Sequence, residues 1–182
     1  MRLWVTGYRS YELGIFKTDD KKIEVIKYAL RQLFERKLDE ELEWIISGGQ
    51  LGVEQWALEA ALDFTKENIN VKTALMYPYA EFSKNWKEDK QLKLYELEQA
   101  VDFSASVSDK PYTSPVQLRN YQRFMVEHTD QAVLFYDPEY PGKAKYDHEF
   151  LQKTAHPFEL IDMYQLQDAA EQYAEQQRID YE

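Results

Sequence analysis

The apolar positions of this chain switch repeatedly between a strand-like and a helix-like period. Residues 2–6 read as a first strand. Ile23, Ile26, Leu30, Leu33, Phe34 and Leu38 then recur at helical spacing, behind Asp19 and Asp20, which suit a helix start. Residues 43–47 form a second apolar run. After it Val53, Trp56, Ala57, Ala60, Ala61 and Phe64 fall on one stripe of a second helix. A third strand spans 71–77 and is expected to stop at Pro78. Leu94, Leu97 and Val101 mark a helix, 102–107 a strand, and Pro115 the first turn of a helix reaching His128. Residues 131–136, closed by Asp137 and Pro138, and residues 158–163 read as two further strands. Leu166, Ala169, Ala170 and Tyr173 give a closing helix. The predicted domain therefore covers residues 1–174, and 175–182 read as a frayed polar tail.

Near-continuous apolar strands alternating with helices predict an α/β fold, a mostly parallel sheet covered on both faces to make three layers. In such sheets ligands bind beyond the carboxyl ends of the strands, where the strand order reverses. Chemistry is thus expected in the turns at 7–14, 48–52, 78–87, 108–119 and 137–146.

One of these turns stands out. Three of the six glycines lie in Ser47-Gly48-Gly49-Gln50-Leu51-Gly52, between a strand and a helix. Such a turn lets backbone N–H groups approach an anion, and the helix N-terminus adds about half a positive charge. A tight turn alone would need glycine only for positive φ, so this many glycines favour a phosphate-bearing ligand. Gly49→Val and Gly52→Asp are accordingly expected to weaken binding while leaving the fold largely intact. A Walker-type loop is excluded, because no Gly-Lys-Ser/Thr closes the turn. The dinucleotide fingerprint is disfavoured, because the next strand ends Met76-Tyr77-Pro78 without the acid that holds ribose hydroxyls.

Composition narrows the partners. The 182 residues carry 33 acidic and 22 basic side chains, a formal charge of −11. Nucleic-acid grooves are normally basic, so nucleic acid is an unexpected partner. There is no cysteine, which excludes disulfides, thiolate metal sites and a cysteine nucleophile. His128, His148 and His156 show no metal-ligand spacing, and no metal is expected. No apolar run suits a membrane span and no export signal opens the chain, so the cytoplasm is the expected location.

Several segments together resemble one known family. Thr6-Gly7-Tyr8-Arg9, Glu12-Leu13-Gly14-Ile15-Phe16, Ser47 through Glu54, Lys84-Asn85-Trp86-Lys87 and Pro111-Tyr112-Thr113-Ser114-Pro115 resemble the YpsA family in content and order. The resemblance spans the first two-thirds of the chain. It implies a single Rossmann-like domain of the SLOG superfamily, related to the DNA-processing protein DprA and to LOG-type phosphoribohydrolases. It also implies a source among Firmicutes and a nucleotide or nucleotide-derived ligand at the glycine turn.

The candidate ligand-binding residues are Thr6, Gly7, Tyr8, Arg9, Gly48, Gly49, Gln50, Gly52, Glu54, Trp86, Tyr112, Ser114 and Arg123. Arg9 offers a forked donor for phosphate, weighed against pairing with one of many acids. Glu54 would accept a sugar hydroxyl, since beside a phosphate it would repel; the plainer reading is favourable interaction with the helix dipole. Trp86 would stack on a base or else pin its loop. Tyr112 and Ser114 would complete a wall. Gln122 and Arg123 match DprA-like relatives loosely. Asp137, ahead of Pro138, is more simply a turn residue than a catalytic carboxylate.

Three functions compete. The first is a non-catalytic sensor or regulatory protein that binds a nucleotide-like molecule, with a protein partner and homo-oligomer left open. The second is a nucleotide N-glycosidase of the phosphoribohydrolase type. Its late Pro-Gly-Gly-x-Gly-Thr-x-x-Glu pattern is missing from Tyr136-Asp137-Pro138-Glu139-Tyr140-Pro141-Gly142-Lys143, and Glu149 is not in demonstrable register. The third is DprA-like DNA handling, in which Lys84, Lys87, Arg119 and Arg123 would share one edge; the net charge opposes it.

Overall fold

The computed structural model describes residues 1–181. Six parallel strands form one sheet in the order β4-β3-β2-β1-β5-β6. The strands are β1 (Arg2–Gly7), β2 (Trp44–Ser47), β3 (Lys72–Tyr79), β4 (Phe103–Ser108), β5 (Gln131–Phe135) and β6 (Phe158–Ile161). The helices are α1 (Lys21–Leu38), α2 (Val53–Thr65), α3 (Glu88–Ala100), α4 (Val116–His128), α5 (Lys145–Thr154) and α6 (Met163–Asp180). The chain steps outward from β1 through β2 and β3 to β4, then crosses back to place β5 on the other side of β1. With right-handed crossovers, that reversal puts α1, α2 and α3 on one face and α4 and α5 on the other. The Rossmann-like three-layer α/β expectation holds, with every strand pair parallel. The reversal also opens a crevice between the carboxyl ends of β1 and β5.

The buried core follows the apolar stripes. Trp4, Leu30, Leu33, Phe34, Ile45, Phe64 and Phe135 are almost wholly enclosed, and the Phe34 and Phe64 rings meet 5.6 Å apart where α1 crosses α2. Asp20 caps α1, its side chain accepting a hydrogen bond from the Lys22 N–H at 2.9 Å. Arg36 and Lys37 in the last turn complement the helix dipole.

The structure departs from the sequence reading at three places. β3 runs through Pro78 to Tyr79 instead of stopping before the proline. Its pairing with β2 ends at Leu75, opposite Ser47, so the missing N–H of Pro78 breaks no ladder on that side. Residues 145–154 form a helix, α5, that the apolar pattern did not announce, because Leu151 is its one buried residue. The helix α6 continues through Asp180, where a frayed tail from 175 was expected; Glu182 lies outside the described residues. α6 begins with a reciprocal cap between Asp162 and Gln165, and it is held to α1 by the Tyr28–Tyr173 ring contact at 5.6 Å.

α5 ends on Ala155, which adopts the left-handed conformation at φ 52°. Ala155→Gly removes that strain and is expected to stabilise the protein by about 0.5–1 kcal/mol, readable by urea denaturation.

Candidate functional site

The first loop and the glycine turn are stapled together above the sheet. Ser10 N–H donates to the Leu51 carbonyl at 3.0 Å, and Val53 N–H donates to the Tyr8 carbonyl at 3.1 Å. Gly52 lies in this staple at φ +132°, where an added Cβ would meet the Tyr8 carbonyl oxygen at 2.5 Å and the Ser10 nitrogen at 2.6 Å. The loop after β5 is tied in as well. The Glu12 carboxylate accepts from the Arg9 N–H at 2.7 Å and from the Lys143 N–H at 2.8 Å. Tyr8, 3% exposed, donates its hydroxyl to the Tyr140 carbonyl at 2.7 Å and accepts the Asp137 N–H at 2.9 Å. Burial pushes its phenol up to about 12.

Glu54 occupies the place at which the sequence suggested an anion. Its carboxylate accepts the Gln50 N–H at 2.8 Å and the Thr6 hydroxyl at 3.0 Å. An added Cβ on Gly48 would meet that carboxylate at 2.6 Å. One turn N–H thus serves the protein's own carboxylate, and a second negative group directly on it would be repelled. The first turn of α2 is committed too, with the Gln55 N–H donating to the Gln50 carbonyl at 3.3 Å.

A cleft of about 680 Å³ opens over this turn, within the size range of small-molecule sites. Strand order lays its contents out in zones. At the β3 end come Pro78 and Phe82, with Pro115 just ahead of α4 and Leu118 in its first turn. Above β2 lie Gly48, Gly49, Gln50 and Glu54, and above β1 lies Arg9. Arg119 and Arg123, one turn apart on α4, line the cleft too, as do Lys143 ahead of α5 and Asp147, Glu149 and Lys153 on α5.

The cleft holds five basic side chains against three acidic ones, in a protein of net charge −11. None of the five (Arg9, Arg119, Arg123, Lys143 and Lys153) is in a side-chain ion pair with the described residues. Arg2, Arg31 and Arg36 outside the cleft are all paired. Asp147 is held by the Gln122 side-chain N–H at 2.8 Å. Burial pushes its carboxyl up to about 6; the Gln122 hydrogen bond and Arg9 oppose the rise, and Glu54 adds to it. Burial also lifts the Tyr121 phenol well above its ordinary value, with Glu54 and Asp147 contributing.

Of the candidate ligand-binding residues, Arg9, Gly48, Gly49, Gln50, Glu54 and Arg123 line the cleft, as do Arg119 and Gln122, also named from sequence. Thr6 acts through Glu54, and Tyr8, Gly7 and Gly52 shape the backbone. An added Cβ on Gly7 would meet the Phe135 carbonyl oxygen at 2.6 Å, and one on Gly49 would meet the Tyr77 ring at 2.8 Å. Gly49→Val and Gly52→Asp would therefore strain the fold, against the expectation that they spare it. Trp86 lies outside the cleft and packs edge-on against Phe82 at 5.5 Å, pinning its loop. Tyr112 packs against Tyr79 at 5.2 Å, and the Ser114 N–H is taken by the Gln117 side chain at 3.2 Å. Neither reaches the cleft. Asp137 is a turn residue, accepting the Glu139 N–H at 2.9 Å and the Met163 N–H at 3.2 Å. Lys84 and Lys87 do not line the cleft beside Arg119 and Arg123, and Lys84 lies 3.5 Å from Glu81. Asp147, Tyr121, Lys143 and Lys153 were missed, three of them because α5 and the turn before it carry no apolar period.

The sequence model described as the YspA SLOG family, YpsA, matches residues 3–166. The chain belongs to that family. It is 58% identical to a UPF0398 protein of Lactobacillus gasseri over 97% of this chain and 96% of the relative. A UPF0398 protein of Limosilactobacillus reuteri is 54% identical over 97% of this chain and 96% of its own length. One of Leuconostoc citreum is 53% identical over 97% and 95%. The YpsA match fits a nucleotide-related role in general, and it covers the whole sheet except Arg2 at the start of β1, with all of the cleft-forming turns. No helix among the described residues is long and apolar enough to cross a membrane.

Proposed function

We propose that the cleft binds a nucleotide or a nucleotide-derived molecule, and that the protein acts through that binding as a sensor or regulator. The observation that carries this reading is the set of five unpaired cations gathered at one cleft of an acidic protein. Uncompensated arginines around a concave site favour a multiply charged anion, and their planar forks suit phosphate oxygens. The zones then assign the rest of the ligand. A base fits the apolar end at Pro78, Phe82, Pro115 and Leu118, a sugar lies by Glu54, and phosphates lie by Arg9, Arg119 and Arg123. Relative to the sequence reading, the phosphate moves off the helix N-terminus onto the arginines, because Glu54 already takes the Gln50 N–H.

Glu54 also supports binding in preference to turnover, since both its oxygens are engaged by Thr6 and Gln50. The test is calorimetry with a panel of nucleoside 5′-mono- and diphosphates at low salt. Binding by at least one is expected, weakened roughly 10- to 100-fold by Arg9→Ala or Arg123→Ala. No binding at millimolar concentration ends the proposal. Chromatography of the same mixtures should recover the nucleotides unchanged, and release of free base would replace the sensor with an N-glycosidase.

A further inference from the structure

Tyr121 is 8% exposed, and its hydroxyl is buried without any hydrogen-bond partner. An orphaned buried hydroxyl is costly, and most such groups find a partner. This one belongs to the wall of the cleft and is close enough to Glu54 and Asp147 for both to raise its pKa. The three residues come from α4, α2 and α5, so one patch of the wall is built by three elements converging there.

The patch has a definite chemical character. The Glu54 and Asp147 carboxylates accept hydrogen bonds, while the Tyr121 hydroxyl needs an acceptor for its own proton. A phosphate accepts only and would be repelled by the carboxylates. An ammonium donates only, leaves the tyrosine proton unmet and is disfavoured by the neighbouring Arg9. A hydroxyl both donates and accepts. Two adjacent hydroxyls can serve two carboxylates and the tyrosine together. Gln122 holds Asp147 at 2.8 Å and Thr6 holds Glu54 at 3.0 Å, so both acceptors are positioned in advance.

We infer that Tyr121 and Asp147, with Glu54, form a seat for the vicinal hydroxyls of a ribose, and that this seat makes the cleft select ribonucleotides over 2′-deoxyribonucleotides. The inference rests on the nucleotide reading above. Loss of one hydroxyl leaves buried polar groups unmet, which is a strong basis for rejection.

The experiment compares binding of each ribonucleotide that binds with that of its 2′-deoxy counterpart, in the wild type, Tyr121→Phe and Asp147→Asn. The wild type is expected to prefer the ribonucleotide roughly tenfold or more. Tyr121→Phe removes only the orphaned oxygen, keeps the ring and should reduce the preference to about threefold or less. Asp147→Asn keeps an acceptor for Gln122 and should reduce the preference as well. Equal wild-type affinity for the two sugars overturns the seat and leaves the nucleotide reading standing. Preserved preference in both variants also overturns it. If no nucleotide binds, the seat falls together with the reading beneath it.

Discussion

Gly52→Ala is expected to destabilise the protein by at least about 3 kcal/mol, while Gly14→Ala costs about 1 kcal/mol. Both glycines have positive φ, +132° for Gly52 and +67° for Gly14. The left-handed conformation of Gly14 is one that an alanine adopts at modest cost, and its added Cβ would meet only the flexible end of Lys22 at 3.9 Å. Gly52, at φ 132° and ψ −140°, lies near a region essentially reserved for glycine. Its Cβ would also press on backbone, with the Tyr8 oxygen at 2.5 Å, the Ser10 nitrogen at 2.6 Å and the Arg9 Cα at 2.8 Å. None of these atoms can rotate away. Relief would require parting the two loops, which breaks the Ser10–Leu51 and Val53–Tyr8 hydrogen bonds. Urea denaturation of the two variants gives the comparison directly. Equal losses would show that conformation alone decides, and that the staple between β1 and the glycine turn yields easily.

The same glycine shows how sequence and structure divide the information. A glycine cluster between a strand and an apolar helical stripe was legible, because Val53, Trp56, Ala57, Ala60, Ala61 and Phe64 repeat at helical spacing. The helix begins at Val53 as read. What the local pattern could not say was which glycines line the cleft and which press on backbone. That depends on Tyr8 and Ser10, more than forty positions upstream and brought close only by the parallel β1–β2 pairing. Glu54 was recognised as a residue that must avoid phosphate. Its acceptance of the Gln50 N–H, however, depends on how the turn wraps around it. Arg9 and Arg123 both line the cleft; Arg9 was legible as an arginine just after a strand, and Arg123 only through the loose likeness to DprA-like relatives.

Asp147 was not found, for a physical reason. The helix carrying it presents mostly polar residues and buries only Leu151, so neither strand nor helix period rises above the background. Trp86 carried two readings from sequence, a stacking surface for a base or a pin for its own loop. The structure packs it edge-on against Phe82 at 5.5 Å, and it is Phe82 that lines the cleft.

Asp147→Asn is expected to stabilise the protein at pH 7.5 by about 1–3 kcal/mol and to have little effect at pH 4. The Asp147 carboxyl is pushed up to about 6, chiefly by burial and further by Glu54, with the Gln122 hydrogen bond and Arg9 opposing. A carboxyl raised in the folded state favours folding most when protonated. Its contribution is fully present below the ordinary carboxylate range and is lost as pH rises through about 6. At pH 7.5 the wild type therefore bears the cost of a charge held against Glu54, a cost that the neutral amide avoids. The amide can still accept from Gln122, so the packing of α4 against α5 is kept. Other acids titrate in the reverse sense: Arg2 holds Asp130 down to about 2, and that stability disappears only at lower pH. The informative quantity is thus the difference between variant and wild type, followed by thermal denaturation from pH 4 to pH 7.5. A gain that grows across pH 6 fits a carboxylate kept at some expense of stability, as expected of a group retained for a ligand. A pH-independent difference, or a loss at pH 7.5, would mean that Asp147 is already well served as an ion, and its place in the ribose seat would lose its energetic basis.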